Sequence, residues 1–117
     1  MGAEKRFENQ VKEYLKSKNI WFIKYWGGAT FTKSGIPDIL ACINGLFVGI
    51  ELKATNGVLS ELQKYQISKI RESNGIAFAL YPQNFDKFKK LVEEMLKCNN
   101  LAIQELKAIN NAHTNLN

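Results

Sequence analysis

Asp38, Glu51 and Lys53 are the side chains of this sequence whose types and spacing fit a chemical task. They belong to one stretch, Ser34 to Lys53, which reads SGIPDILACINGLFVGIELK. Glu51 comes thirteen residues after Asp38, and Lys53 follows at the next position but one. Two apolar runs, Ile39–Ile43 and Leu46–Ile50, lie between the charges and are separated by Asn44-Gly45. Asn-Gly supplies the positive φ angles of a primed turn, so the pattern predicts two strands joined by a tight hairpin. Side chains alternate faces along a strand, which puts Glu51 and Lys53 on the same side. Asp38 enters the first strand directly after Pro37, so the hairpin brings two carboxylates and an ammonium to one end of an apolar sheet. Two carboxylates held close and partly buried raise one pKa or cost on the order of several kcal/mol, unless a cation sits between them. Their hard oxygens suit Mg²⁺ or Mn²⁺, and a neighbouring lysine suits a phosphate. The chemistry predicted is that of a metal-dependent phosphodiesterase.

The elements that must position these groups are legible around them. Residues 4–18 form an amphipathic pattern, with Phe7, Val11, Tyr14 and Leu15 on one side and lysines on the other, stopping at Asn19. Ile20–Trp26 is aromatic and β-branched, a strand, and Trp26 before Gly27-Gly28 reads as a packed strand end. Ala29–Ile36 is a loop that delivers the chain to Pro37-Asp38, and Ala54–Val58 is a turn. Ser60 is an N-cap for a helix reaching about Ser73, with Leu62, Ile67 and Ile70 at helical spacing. Asn74-Gly75 ends it, with glycine expected in the left-handed position. Ile76–Tyr81 is a fourth strand, and residues 84–97 form a further helix with Phe85, Phe88, Leu91, Val92, Met95 and Leu96 inward. Leu101–Ile109 reads as a short helix, followed by an Asn-rich tail. The order α-β-β-β-α-β-α predicts an α/β fold. Its strand-helix-strand ending implies a parallel pairing through a right-handed crossover, within a mixed four-stranded sheet flanked by helices.

Composition bounds the reading. A chain of 117 residues, 45% of them hydrophobic, is most simply one domain with a real core. A net charge of +5 favours a polyanionic partner. Cys42 and Cys98 show neither metal spacing nor a disulfide framework, and Cys42, inside a strand run, is expected as a small buried hydrophobe. No stretch reaches the roughly 18 apolar residues of a membrane span, and no signal-peptide core stands at the start. A reducing cytoplasm is the expected location, with no membrane partner.

Pro37-Asp38 followed by Glu51-Leu52-Lys53 on the neighbouring strand, in this element order, resembles the PD-(D/E)XK nuclease superfamily. More closely the chain looks like the small VRR-NUC type of phages and bacteria, relatives of Holliday junction resolvases. Ser34-Gly35 before the proline, Leu59-Ser60 with Gln63 at the start of the next helix, and Gly75 before the last strand add to the likeness, which spans about residues 4–96. The resemblance implies a restriction-endonuclease-like α-β-β-β-α-β core over residues 1–98, followed by a C-terminal helix and tail over 99–117. It implies that Asp38 and Glu51 hold Mg²⁺ or Mn²⁺ with the backbone carbonyl of Leu52, and that Lys53 orients the attacking water. Gln63 would sit beside the site, holding Lys53 or the substrate backbone. A further acid from the first helix is expected, Glu8 matching best and Glu4 lying one turn before it. Lys24, Thr32, Lys33 and Ser34 are the expected contacts to the DNA backbone. The implied activity is divalent-metal-dependent endonucleolytic hydrolysis of branched, junction or flap DNA by a homodimer, in a bacterial cell and from a phage or prophage source. The helix at 84–97 and the tail at 101–109 are the expected surfaces for that pairing. The alternative is a catalytically inactive nucleic-acid-binding or phage interaction protein that keeps the nuclease fold. Divalent-metal binding separates the two.

Overall fold

The computed structural model describes residues 2–26 and 34–98. Thr32 and Lys33, the expected short helix at 101–109 and the Asn-rich tail lie outside the described residues. The elements are α1 (Ala3–Ser17), β1 (Trp21–Lys24), β2 (Ile39–Ile43), β3 (Leu46–Leu52), α2 (Glu61–Glu72), β4 (Ile76–Leu80), a 3-10 turn (Pro82–Asn84) and α3 (Phe85–Lys97). The strands form one sheet in the order β1-β2-β3-β4. β1 pairs with β2, and β2 with β3, antiparallel; β3 pairs with β4 parallel. This is the mixed four-stranded α/β arrangement predicted.

The hairpin forms because both turn residues take positive φ, Asn44 at 50° and Gly45 at 84°, the geometry of a primed turn. Asn44 also donates from Nδ2 to the carbonyls of Met95 and Cys98, each at 2.8 Å, so the turn satisfies one carbonyl in the last turn of α3 and one just past its end. One face of the sheet, carrying Ile39, Ala41, Ile43, Val48, Ile50 and Leu52, packs against Phe7, Val11 and Leu15 of α1 and Phe88 and Val92 of α3. On the opposite face α2 leans on β3 and β4. β3 is covered on both sides and buried from Val48 to Leu52. It runs past the expected end at Ile50 because the parallel ladder to β4 continues through Glu51↔Ala79 and Leu52↔Leu80.

Several expectations are corrected. Cys42 is exposed, because inward positions on β2 are the odd ones and, among the described residues, α2 packs mainly on β4 and β3. There it lies in register between Trp21, 65% exposed, and Phe47, 46% exposed. Trp26 is not a packed strand end: β1 stops at Lys24 and the indole is 71% exposed. Leu62 on α2, and Leu91 and Leu96 on α3, likewise face outward. Asn74, not Gly75, takes the left-handed position after α2, with φ of 65°.

Candidate active site

Asp38 stands where β2 begins and is held from both flanking strands. Its backbone carbonyl accepts from the N–H of Tyr25 at 2.8 Å, continuing the β1–β2 ladder by one bond. Its Oδ2 accepts from the N–H of Leu52 at 2.8 Å, across the hairpin. Pro37, fully buried, fixes the approach of the chain. The next bond in the parallel ladder, from the N–H of Lys53 to the carbonyl of Leu80 at 3.0 Å, extends β3 just far enough to present Lys53 at the same end.

Glu51 is 4% exposed and points to the α2 side of the sheet. Its Oε1 accepts from Nε2 of Gln63 at 3.2 Å, while Oε2 is buried with no hydrogen-bond partner. Burial, then the neighbouring carboxylate of Asp38, push its pKa up to about 8; Lys53 and Lys24 act the other way. Gln63 reaches Glu51 because the start of α2 is a capping box. Ser60 Oγ accepts from the N–H of Gln63 at 3.1 Å, and Oε1 of Gln63 accepts from the N–H of Ser60 at 2.9 Å. One amide thus fixes the helix end with its oxygen and a site carboxylate with its nitrogen. Its protein partner in the site is Glu51; Lys53 or the substrate backbone was the expected one.

Glu8, 8% exposed on α1, is surrounded by cations. Lys5 lies at 2.8 Å, Lys12 at 3.1 Å and Lys24 at 2.8 Å. Burial alone would raise its pKa, but the bonds to Lys24, Lys5 and Lys12 bring it down to about 2. Glu4 lies one turn earlier and is exposed, on the rim of the same open cleft of about 340 Å³ as Glu8, Lys24 and Asp38. Lys24, expected on a DNA backbone, turns inward: its Nζ is 2.8 Å from Glu8 and 3.3 Å from Asp38. Its pKa is raised, burial being outweighed by these two carboxylates. Ser34 is exposed beside the start of α2, its carbonyl accepting from Gln66 at 3.3 Å.

The hairpin therefore gathers Asp38, Glu51 and Lys53, and α2 adds Gln63; Glu8 joins through Lys24. Among the described residues, no three carboxylate, imidazole or thiol groups stand close enough to hold a metal unaided. The Asp38–Glu51 pair nevertheless fits a hard divalent cation. Its donors are carboxylate oxygens, one of them is buried without a partner, and Glu51 keeps a proton at neutral pH in place of a counter-charge.

No model of a known protein family matches the chain, and no curated protein does. A solved structure described as Archaeoglobus fulgidus Hjc, a Holliday junction resolvase from an archaeal hyperthermophile, matches with a TM-score of 0.50 and 23% sequence identity. The match covers 66% of this chain and 66% of that one, so the chain spans just under two thirds of its length. The likeness is one of fold: the mixed sheet with flanking helices is restriction-endonuclease-like.

Proposed function

We propose that the chain is a divalent-metal-dependent DNA endonuclease of the VRR-NUC kind, hydrolysing phosphodiester bonds in branched or otherwise structured DNA. The observation that carries this reading is the Asp38–Glu51 pair, with its unpartnered buried oxygen and Lys53 alongside. The fold shared with a Holliday junction resolvase supports a branched substrate.

Asp38 and Glu51 would hold Mg²⁺ or Mn²⁺, with the carbonyl of Leu52 as a further oxygen, while Glu8 would stay paired with its lysines. When bound, such an ion lowers the pKa of a water and neutralises charge on the scissile phosphate. Lys53 adds a fixed positive charge next to the pair, stabilising charge that builds on the phosphate oxygens and positioning the attacking water. Gln63 keeps Glu51 from swinging out of line, because its own amide oxygen is tied to the backbone of Ser60. Thr32, Lys33 and Ser34 precede Asp38 in the chain and would meet the backbone of the substrate. Contacts of that type hold DNA without reading its sequence. Two symmetric cuts need two sites, so the active form on a junction would be a pair of chains.

The test is cleavage of a labelled four-way junction beside a matched linear duplex and a flap, with Mg²⁺ or Mn²⁺. Paired cuts near the junction centre, lost in Asp38→Ala and in Lys53→Ala, are the expected result. Junction binding without cutting, unchanged by Asp38→Ala, would make the chain a binding protein on a nuclease fold.

A further inference from the structure

Lys24 occupies a place that a surface lysine has no reason to occupy. Its ammonium lies between Glu8 at 2.8 Å and Asp38 at 3.3 Å, and the side chain is only 17% exposed. The oxygens of Asp38 are divided: Oδ2 is taken by the backbone N–H of Leu52, and Oδ1 faces Lys24. A divalent ion held by Asp38 would meet that ammonium at a few ångströms, where like charges with little water between them repel strongly. Glu8 does not depend on Lys24, since Lys5 and Lys12 also pair with it. Lys24 has somewhere to go as well. Its Nζ lies 5.6 Å from the centre of the Trp26 ring, and that ring is 71% exposed, so the way out of the site runs along an aromatic face to solvent.

From this geometry we propose that Lys24 is an exchangeable internal cation. In the free protein it neutralises Glu8 and Asp38; when a divalent ion enters, it leaves Asp38 along Trp26 and becomes available to a DNA phosphate. The inference rests on the reading of Asp38 and Glu51 as ligands of a divalent ion. It makes Lys24 a positioning residue and links two binding events. A phosphate that draws Lys24 outward raises the affinity for the ion, and the ion raises the affinity for DNA by the same factor.

The experiment is calorimetric titration of the full chain with Mg²⁺ and with Mn²⁺, without DNA, for wild type, Lys24→Met and Lys12→Met. Lys12→Met removes an equal charge from Glu8 but none from Asp38, and so separates exchange from a general gain in negative potential. Lys24→Met should bind the ion about tenfold more tightly and Lys12→Met less than about twofold, as expected of a charge in contact against one further off. A second readout is Trp26 emission in a Trp21→Phe background. It should change on adding Mg²⁺ with the calorimetric midpoint, and not change once Lys24→Met is added. Ion binding by wild type with equal or weaker binding by Lys24→Met, or a silent Trp26, overturns the inference alone. No ion binding by folded wild type overturns it together with the metal reading. If Lys24→Met does not fold, Lys24→Arg carries the test. A guanidinium grips two carboxylates more firmly and should weaken ion binding several-fold, and unchanged affinity would overturn the exchange.

Discussion

Two glutamates of similar burial, Glu8 and Glu51, are driven in opposite directions by their neighbours. Glu8 has three lysines and stays charged down to about pH 2; Glu51 has a second carboxylate beside it and holds its proton to about pH 8. The stability consequences have opposite signs. Glu51 binds its proton more tightly folded than unfolded, so its contribution is full below about pH 4.5 and is lost as pH rises through about 8. Glu8 contributes above about pH 4.5, and that contribution is lost as pH falls towards 2. Metal-free wild type should therefore lose Tm relative to Glu51→Gln between pH 5 and pH 9, and Mg²⁺ should restore most of it at the alkaline end. Thermal unfolding at stepped pH reads this directly, and parallel curves for the two proteins would deny the protonated pair. Ion affinity should rise with pH up to about 8 for the same reason, and calorimetry in buffers of different ionisation enthalpy should show proton release that Glu51→Gln lacks. The pairing of Asp38 with Glu51 was legible because a proline, a turn and strand alternation fix it locally. The position of Lys24 was not. A lysine at the end of an aromatic run carries no spacing signal, and its partners come from α1 and β2.

The elements serve the site mainly through the start of α2. Gln63 bridges a helix cap and a site carboxylate, so the two roles can be parted by substitution. Ser60→Ala removes half of the capping box and should cost about 1 kcal/mol of stability. Gln63→Leu should cost a similar amount and in addition free Glu51, lowering cleavage more than Ser60→Ala does. Equal loss of activity in both would mean that Gln63 acts only as a cap. The loop before Asp38 is locked to the same helix end. Gly35 has φ of 81°, and a Cβ there would sit 2.4 Å from the carbonyl oxygen of Leu62. Gly35→Ala must therefore shift either the loop that leads into Asp38 or the turn that holds Gln63. A loss of roughly 1–3 kcal/mol is expected by denaturant unfolding, with a fall in activity beyond what the lost stability explains. The N-cap serine was readable from sequence, and so was the order of helices and strands. The outward faces of Leu62, Leu91 and Leu96 were not, because helical spacing marks an apolar stripe without saying how wide a surface is there to cover it.

At the scale of the whole molecule, the hairpin and the parallel crossover followed from sequence rules, while the place of β1 and, among the described residues, the exposed outer side of β1 and β2 did not. Nothing in a strand's alternation tells which face goes without a helix, and so Cys42 was expected inside. The net charge of +5 is the other property that belongs to the whole chain, and it makes a separate prediction about substrate choice. Among the described residues, no element presents a recognition helix to a groove, so affinity should come from phosphates and selectivity from the shape of the DNA. With Ca²⁺ in place of Mg²⁺ to block cutting, junction binding followed by fluorescence anisotropy should weaken linearly in log salt. The slope should be about −0.9 for each phosphate neutralised, and several phosphates should be counted. Four-way junctions of unrelated sequence should compete equally with the labelled one, and a linear duplex of the same length poorly. A flat salt dependence would remove the phosphate contacts. Equal competition by linear duplex would remove shape selection.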